Sequence, residues 1–226
     1  MSHFTVMVIG AEPEKQLAPF NENLEVPRYV KYTKEQLIAY GKDNIQKYKE
    51  GPYARFLSDP QKYKASTKNE SHINYLEKEF PKRLNWTDEE IYTYEIGFYE
   101  TEEIGSNGEV YSTYNPKSKW DWYELGGRWS GMISLKDGAS GISGKGSLVF
   151  ENEAGIDQAH KGDIANIESI STFAVLKDGE WYEKGKMGWF GVVFDEEDND
   201  KWVAEIQKLI KELPDDTLIS IYDCHI

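Results

Sequence analysis

Both ends of the chain carry short apolar runs that predict strands. Residues 3–9 are apolar or β-branched and precede Gly10, which is typical of a strand that ends in a turn. Residues 217–222 show the same pattern and lead into the terminal sequence Asp223-Cys-His-Ile226. We therefore expect one strand at each end, and each of them carries a histidine close to its terminus.

Two other segments have the hydrophobic spacing of helices. Thr33 and Gln36 fit a capping box, in which each side chain bonds the other residue's backbone, and predict a helix over residues 34–49. A second helix is predicted over residues 199–213, and Pro214 ends it. Its apolar stripe consists of Trp202, Ile206, Leu209, Ile210 and Leu213.

The middle of the chain shows strand signals separated by turns. β-Branched and aromatic residues predict strands at Ile91–Phe98 and Val110–Tyr114, with Ser106-Asn-Gly108 as the hairpin turn between them. Lys177-Asp-Gly179 predicts a second hairpin turn. Further strand signals lie at residues 128–135, 148–150, 172–176, around Trp181 and at 189–194.

Strands scattered among a few helices, without regular βαβ alternation, favour an α+β fold over a doubly wound sheet. We predict a single α+β domain over residues 1–226, with a mainly antiparallel sheet and helices packed on one side. Residues 33–88 lack strand signals and are predicted to be a helical or loop insertion. The order strand 189–194, helix 199–213, strand 217–224 predicts a ferredoxin-like C-terminal unit.

Composition excludes several classes of protein. Of the 226 residues, 39% are apolar and 14% are aromatic, which is enough to fill a core and excludes wholesale disorder. A net charge of −14 argues against direct binding of nucleic acid or of an anionic membrane surface. The chain shows no apolar run of membrane-spanning length and no secretory signal, and its single cysteine suits a reducing compartment. We therefore expect a cytoplasmic protein.

The segment KWDWYELGGRW, residues 119–129, is a candidate ligand site. Indole and phenol rings can stack on a base or a sugar, and a guanidinium suits a phosphate or a carboxylate. The Gly126-Gly127 pair removes side-chain bulk where a backbone could approach a ligand. The alternative is a structural aromatic corner in which Arg128 stacks on Trp122 or Trp129 and pairs with Asp121. The predicted ligand-binding residues are Lys119, Trp120, Asp121, Trp122, Tyr123, Arg128 and Trp129.

The terminal strands form a second candidate site. Alternation places His3 and Thr5 on one face of the first strand, and Asp223 and His225 on one face of the last. The sequence His3-Phe-Thr5 resembles the strand motif of two-histidine phosphoesterases, but no hydroxyl follows His225 to complete a second copy. We predict that the two strands are neighbours or next-neighbours in one sheet, with the two histidines within roughly 10 Å. These four residues are the predicted catalytic groups, and a structural pair of hydrogen-bonded histidines is the alternative.

Three weaker interpretations stay open. Asp223 and His225, with His3 or Asp121, would supply a two-histidine, one-carboxylate metal site, although nothing in the spacing requires one. Cys224 is either a nucleophile beside His225 or a small buried hydrophobe. Acidic stretches lie at residues 88–90, 95–109 and 195–200. They either imitate a nucleic-acid backbone or form ordinary solvated faces.

Four motifs carry a resemblance to a known family. They are the opening SHFTVMVIG, the central NPKSKWDWYELGGRWSG, the later MGWFG and the terminal DCHI. In these motifs the chain resembles an uncharacterised protein family that is common in bacteriophages and scattered through bacterial genomes. The resemblance implies a small viral accessory protein that acts on host metabolism or host defence. It implies no activity and no catalytic residue.

The favoured hypothesis is a protein that binds a small anionic, nucleotide-like ligand. In its enzymatic form this protein is a phosphodiesterase-like hydrolase of a cyclic or dinucleotide immune signal. The alternatives are a non-catalytic sponge for the same class of ligand and an acidic inhibitor of a host nucleic-acid-binding protein. The sequence leaves open whether turnover occurs, whether a cofactor is needed and whether the protein is a homo-oligomer.

Overall fold

A computed structural model of the chain describes residues 2–67, 69–144, 156–187 and 193–226. The chain forms two compact units, and the first consists of residues 1–26 and 114–226. The second unit consists of residues 27–113, so the predicted insertion at 33–88 lies inside it. The strand predicted at 148–150, most of that at 189–194 and most of the MGWFG motif lie outside the described residues.

The regular elements of the described residues combine strands and helices, which confirms the predicted α+β class. The strands are β1 (His3–Ile9), β2 (Tyr29–Tyr32), β3 (Val110–Ser112), β4 (Trp122–Leu125), β5 (Gln158–His160), β6 (Ala174–Lys177), β7 (Glu180–Glu183), β8 (Lys186–Met187), β9 (Val193–Phe194) and β10 (Leu218–His225). The helices are α1 (Pro13–Leu17), α2 (Lys34–Tyr48), α3 (Ala54–Ser58), α4 (Pro60–Ser66), α5 (Glu70–Asn74), α6 (Phe80–Arg83), α7 (Asp88–Ile96) and α8 (Asn199–Lys211). None of the described helices is long and apolar enough to cross a membrane.

The first unit is built on a mixed, mainly antiparallel sheet, as the sequence predicts. Its strand order is β4-β10-β1-β6-β7, and β5 also pairs with β10. The central strands β1 and β10 run antiparallel, from His3 opposite His225 to Ile9 opposite Ile219. Only the pairing of β1 with β6 is parallel within this sheet of the described chain.

A different hydrophobic cluster covers each face of the sheet, because successive residues of a strand point to opposite faces. On one face, Met7 and Ile9 of β1 belong to a cluster with Trp202, Ile206 and Ile210 of α8. On the other face, the alternate residues of β1 pack against the short helix α1 and the turn that follows it. The long helix α8 therefore lies on one face, and α1 lies on the opposite one.

The second unit is mostly helical and contains the small antiparallel sheet β2–β3. The predicted capping box at the start of α2 is confirmed, because the backbone N–H of Gln36 donates to Thr33 Oγ1 and the backbone N–H of Thr33 donates to Gln36 Oε1. Helices α2 and α7 pack against each other, and a Cβ on Gly41 of α2 would collide with the side chain of Ile91. The glycine thus permits the close approach of the two helices.

Two predicted strands are wrong. The strand predicted at Ile91–Phe98 is not formed, because residues 91–96 belong to helix α7. This helix begins with a capping box formed by Thr87 and Glu90. Capping and packing against α2 therefore outweigh the strand propensity of its Ile, Tyr and Thr residues. The strand predicted at residues 128–135 is not formed. A short 3-10 turn covers Gly127–Trp129, and isolated bridges follow at Ile133 and Leu135. The ferredoxin-like unit stays a prediction, because the described end of its first strand, β9, pairs with β8.

Candidate acid–base site

The two terminal strands bring two histidines into direct contact. His3 of β1 and His225 of β10 lie opposite each other in the antiparallel register. Their ring centroids are 5.0 Å apart, and the ring planes meet at 69°. Direct cross-strand partners share one face of a sheet, so both rings project from the face that α8 covers further along. The prediction that the two strands are neighbours and hold the histidines close together is confirmed.

A separate carboxylate holds each histidine. Nδ1 of His3 lies 2.9 Å from Asp223 Oδ1, and Nδ1 of His225 lies 2.6 Å from Asp121 Oδ1. A carboxylate at Nδ1 favours the tautomer that carries its proton there, which leaves Nε2 as the nitrogen that exchanges protons. It also stabilises the imidazolium form. The site therefore consists of two adjacent aspartate–histidine pairs.

Asp223 is the more deeply buried of the two carboxylates. Its side chain is 2% exposed, and its Oδ2 accepts a hydrogen bond of 3.1 Å from the backbone N–H of Arg128. Gly127 has a φ of +50°, and a Cβ there would lie 2.5 Å from the Cβ of Asp223. A Cβ on Gly126 would likewise lie 2.5 Å from the carboxylate of the buried Asp157. The space left by the Gly-Gly pair is thus occupied by these two carboxylates, whereas the sequence suggested the approach of a ligand.

The Nε2 atom of His225 is buried, and no described residue forms a hydrogen bond with it. The side chains of His3 and His225 are 15% and 13% exposed. An unsatisfied buried polar group costs about 1–3 kcal/mol of stability. A buried polar atom without a partner calls for an explanation, and a catalytic role is one that such atoms can have.

Strand β4 extends the site beyond the two histidines. Trp122 lies opposite His225, and Glu124 lies opposite Asp223, so both belong to the same face. Trp122 is 46% exposed, and its ring centroid lies 6.2 Å from that of His3 in an edge-on arrangement. Sequence reasoning missed Glu124, although the alternation from Trp122 along a strand places it on the same face.

Thr5 lies one strand position away from the histidine pair, opposite Asp223. Its Oγ1 accepts a hydrogen bond of 3.0 Å from the backbone N–H of Phe173, and the residue is 9% exposed. The hydroxyl oxygen therefore anchors the segment before β6. Thr5 thus lies beside Asp223 on the adjacent strand and connects the site to this segment.

The predicted aromatic ligand segment is divided between the two faces of the sheet. Trp120 is 4% exposed and donates a hydrogen bond from Nε1 to the carbonyl of Leu17. Tyr123 packs against it with ring centroids 4.8 Å apart, in the cluster opposite the histidines. Lys119 forms an ion pair of 2.8 Å with Glu183. These three predicted ligand residues are therefore not brought together with His3 and His225.

Asp121, Trp122 and the backbone of Arg128 are the members of the segment that reach the histidine site. The side chain of Arg128 is exposed, and within the described part of the chain it neither stacks on Trp122 or Trp129 nor pairs with Asp121. Trp129 is half-buried. The structural aromatic corner considered from the sequence is thus not formed by the described residues.

An open groove adjoins the site on the side of Asp121. It has a volume of about 540 Å³. Four predicted ligand residues line it, Trp120, Asp121, Trp122 and Tyr123, together with Ala18, Asn21, Asn23 and Leu24. Sites for small ligands commonly have volumes of about 300–1,000 Å³. The groove therefore has room for a nucleotide-sized molecule next to the aspartate that holds His225.

Two other sequence hypotheses receive no support from the geometry. Among the described residues, no group of three or more His, Cys, Asp or Glu side chains is arranged to hold a metal ion. Cys224 is buried in the cluster on the face opposite the histidines. Burial, with a smaller contribution from the charge of Asp223, raises the pKa of the Cys224 thiol well above its ordinary value. This disfavours the thiolate that a nucleophile needs.

A comparison of the chain with protein-family models, curated proteins and solved structures finds no match. Function is therefore inferred from the site alone.

Proposed function

We propose that the site around His3 and His225 cleaves a phosphodiester bond in a small nucleotide-like ligand. The proposal is supported by the direct contact of two imidazoles, each held at Nδ1 by its own carboxylate. Two such groups side by side supply a proton acceptor and a proton donor in the same step. Hydrolysis of a phosphodiester needs both functions, because the attacking water must lose a proton and the leaving oxygen must gain one.

In the proposed reaction, Nε2 of one imidazole accepts a proton from water while the water oxygen forms a bond to phosphorus. The bond between phosphorus and the leaving ester oxygen breaks, and the other imidazole donates its Nε2 proton to that oxygen. The products are a phosphate monoester and an alcohol. Asp223 and Asp121 orient the rings and stabilise each imidazole while it is positively charged.

Recognition of the ligand is assigned to two exposed side chains: Trp122, which contacts His3, and Arg128, whose backbone N–H holds Asp223. The indole face of Trp122 offers a stacking surface for a base. The exposed guanidinium of Arg128 is a planar cation of the kind that suits a phosphate. Asp121, Asp223 and Glu124 surround the same site with negative charge. An anionic ligand should therefore bind better when the imidazoles are protonated.

The proposal is tested by incubating the purified protein with cyclic mononucleotides, cyclic dinucleotides and linear dinucleotides, and separating the products by chromatography. Binding of each compound is measured in parallel by calorimetry. The variants His3→Ala and His225→Ala should each lower the cleavage rate at least about 100-fold, the usual scale of general acid–base catalysis. His160→Ala is the matched control, because His160 is an exposed histidine of β5 in the same unit.

Cleavage by the native protein and by His160→Ala, with loss in both other variants, would support the proposal. Binding without any product would contradict it and favour the non-catalytic sponge. Cleavage that survives in either His3→Ala or His225→Ala would contradict the joint role of the two rings. The viral origin implied by the sequence resemblance stays a separate prediction.

A further inference from the structure

The second unit contains a cavity that the proposed chemistry of the first unit does not use. It has a volume of about 450 Å³ and lies among α2, α6, α7 and the segments next to them. Aromatic side chains dominate its lining, and they include Tyr40, Tyr48, Trp86, Tyr94, Phe98 and Tyr99. Tyr40 and Phe98 are strongly exposed, so the cavity has an accessible rim. Its size falls within the range of sites for small ligands.

One carboxylate lines this aromatic cavity. Glu95 of α7 is 9% exposed, and no described residue donates a hydrogen bond to its side chain or forms an ion pair with it. Burial raises the pKa of Glu95, and the nearby charge of Arg83 opposes this effect only in part. A carboxylate without a partner in such surroundings is costly, because the protein replaces little of the hydration that it loses.

The aromatic rings of the same cavity already interact with a cation. The guanidinium carbon of Arg83 lies 4.2 Å from the ring centroid of Tyr94, 4.8 Å from that of Trp86 and 5.2 Å from that of Tyr75. Aromatic faces attract cations through the negative charge above the ring. Arg83 is thus engaged with one group of rings and forms no ion pair with Glu95 among the described contacts.

We propose that this cavity binds a small organic cation, an alkylammonium or alkylguanidinium compound, whose charged group meets Glu95. Its alkyl chain and charged end would be surrounded by Tyr40, Tyr48 and Tyr99. These three side chains line the cavity and do not belong to the group of rings that the Arg83 guanidinium contacts. A buried carboxylate disfavours an anion, and a neutral ligand would leave its charge unbalanced. Aromatic faces combined with a carboxylate are suited to a cation with N–H donors.

The test is calorimetric titration of the full-length protein with three probes of similar size. Agmatine carries a guanidinium and an ammonium, choline is a cation without N–H donors, and n-butylurea is neutral. We expect agmatine to bind most tightly, choline more weakly and n-butylurea not measurably. Agmatine that fails to bind, or n-butylurea that binds as tightly as agmatine, would overturn the proposal.

Variants then locate the binding site. Glu95→Gln keeps the shape of the side chain and removes its charge, so it should weaken agmatine binding at least about 10-fold, or about 1.4 kcal/mol. Glu70→Gln, which changes an exposed carboxylate of the same unit, should leave binding unchanged. Tyr40→Ala alters a rim residue that is 60% exposed, so the fold should persist while binding weakens several-fold. Equal agmatine affinity in the native protein and Glu95→Gln would contradict the assignment.

Discussion

Replacement of Gly127 by alanine should damage the support of the histidine site more than an ordinary glycine substitution does. Gly127 has a φ of +50°, a left-handed conformation that costs an alanine about 1–2 kcal/mol. Its new Cβ would also lie 2.5 Å from the Cβ of Asp223 and 2.6 Å from Oδ2. Overpacking of this kind costs about 1–3 kcal/mol. Together the two effects predict a loss of about 2–5 kcal/mol in the free energy of unfolding.

Gly138→Ala separates the two contributions. Gly138 has a φ of +80°, but no atom of the described residues lies within 4 Å of a Cβ placed there. This variant should therefore lose only the backbone contribution of about 1–2 kcal/mol. The assay is urea unfolding followed by tryptophan fluorescence, with thermal unfolding as a second measure. In a unit of this size, each kcal/mol lowers Tm by about 2–4 °C. Equal losses in the two variants would refute the claim that Gly127 is required for the approach of Asp223.

Three further predictions concern other buried groups. Asp157→Ala should destabilise the first unit by about 3–5 kcal/mol in urea unfolding, because Ser130 and two backbone N–H groups lose their acceptor; a loss below about 1 kcal/mol would contradict this role. Glu95→Gln should stabilise the second unit at pH 7. The raised pKa of Glu95 means that protonation of this carboxylate favours the folded form. The difference in free energy of unfolding between Glu95→Gln and the native protein should therefore shrink as the pH falls towards the ordinary carboxyl range. A difference that does not change with pH would contradict this prediction. Cys224 should react with a thiol reagent slowly in the native protein and rapidly in urea, and fast native labelling would contradict its burial.

The central strands and the contact between the histidines were predictable from the sequence. The apolar runs at both ends indicated strands that are tied into a sheet, and the two-residue period then placed each histidine on a defined face. The register that sets His3 opposite His225 depends on pairing across the whole length of β1 and β10. Local sequence does not contain that register, so only the proximity of the rings could be expected.

The distribution of the aromatic segment was harder to predict. Trp122 and Tyr123 are neighbours on β4, and the alternation of a strand sends them to opposite faces. The sequence interpretation assigned no strand there and placed the whole segment at one ligand site. Trp120, Asp121, Trp122 and Tyr123 do line one groove, but Trp120 and Tyr123 also pack in the cluster on the face opposite the histidines. A strand assignment for residues 122–125 would have separated Trp122 and Glu124 from Tyr123.

Helix α7 shows a different limit of pattern reading. The sequence Ile-Tyr-Thr-Tyr has strand propensity, and its period does not distinguish a short helix. The capping box at Thr87 and Glu90 and the acidic first turn were present in the sequence and indicate a helix. These local signals were more informative here than the propensity of the following residues. The cavity with Glu95 depends on this helix, so it was not foreseen.

The measurement that tests the account most directly is the pH dependence of phosphodiester cleavage in the native protein and in the two histidine variants. A base and an acid that act together predict a bell-shaped profile of kcat/KM against pH. With bis(4-nitrophenyl) phosphate, whose leaving group needs little protonation, the variant that lacks the acid should retain most of its rate. The variant that lacks the base should lose its rate. A pH profile of the native protein without a maximum would contradict the account. It would also be contradicted if His3→Ala and His225→Ala lost the same fraction of their cleavage rate with bis(4-nitrophenyl) phosphate as they lose with a natural dinucleotide.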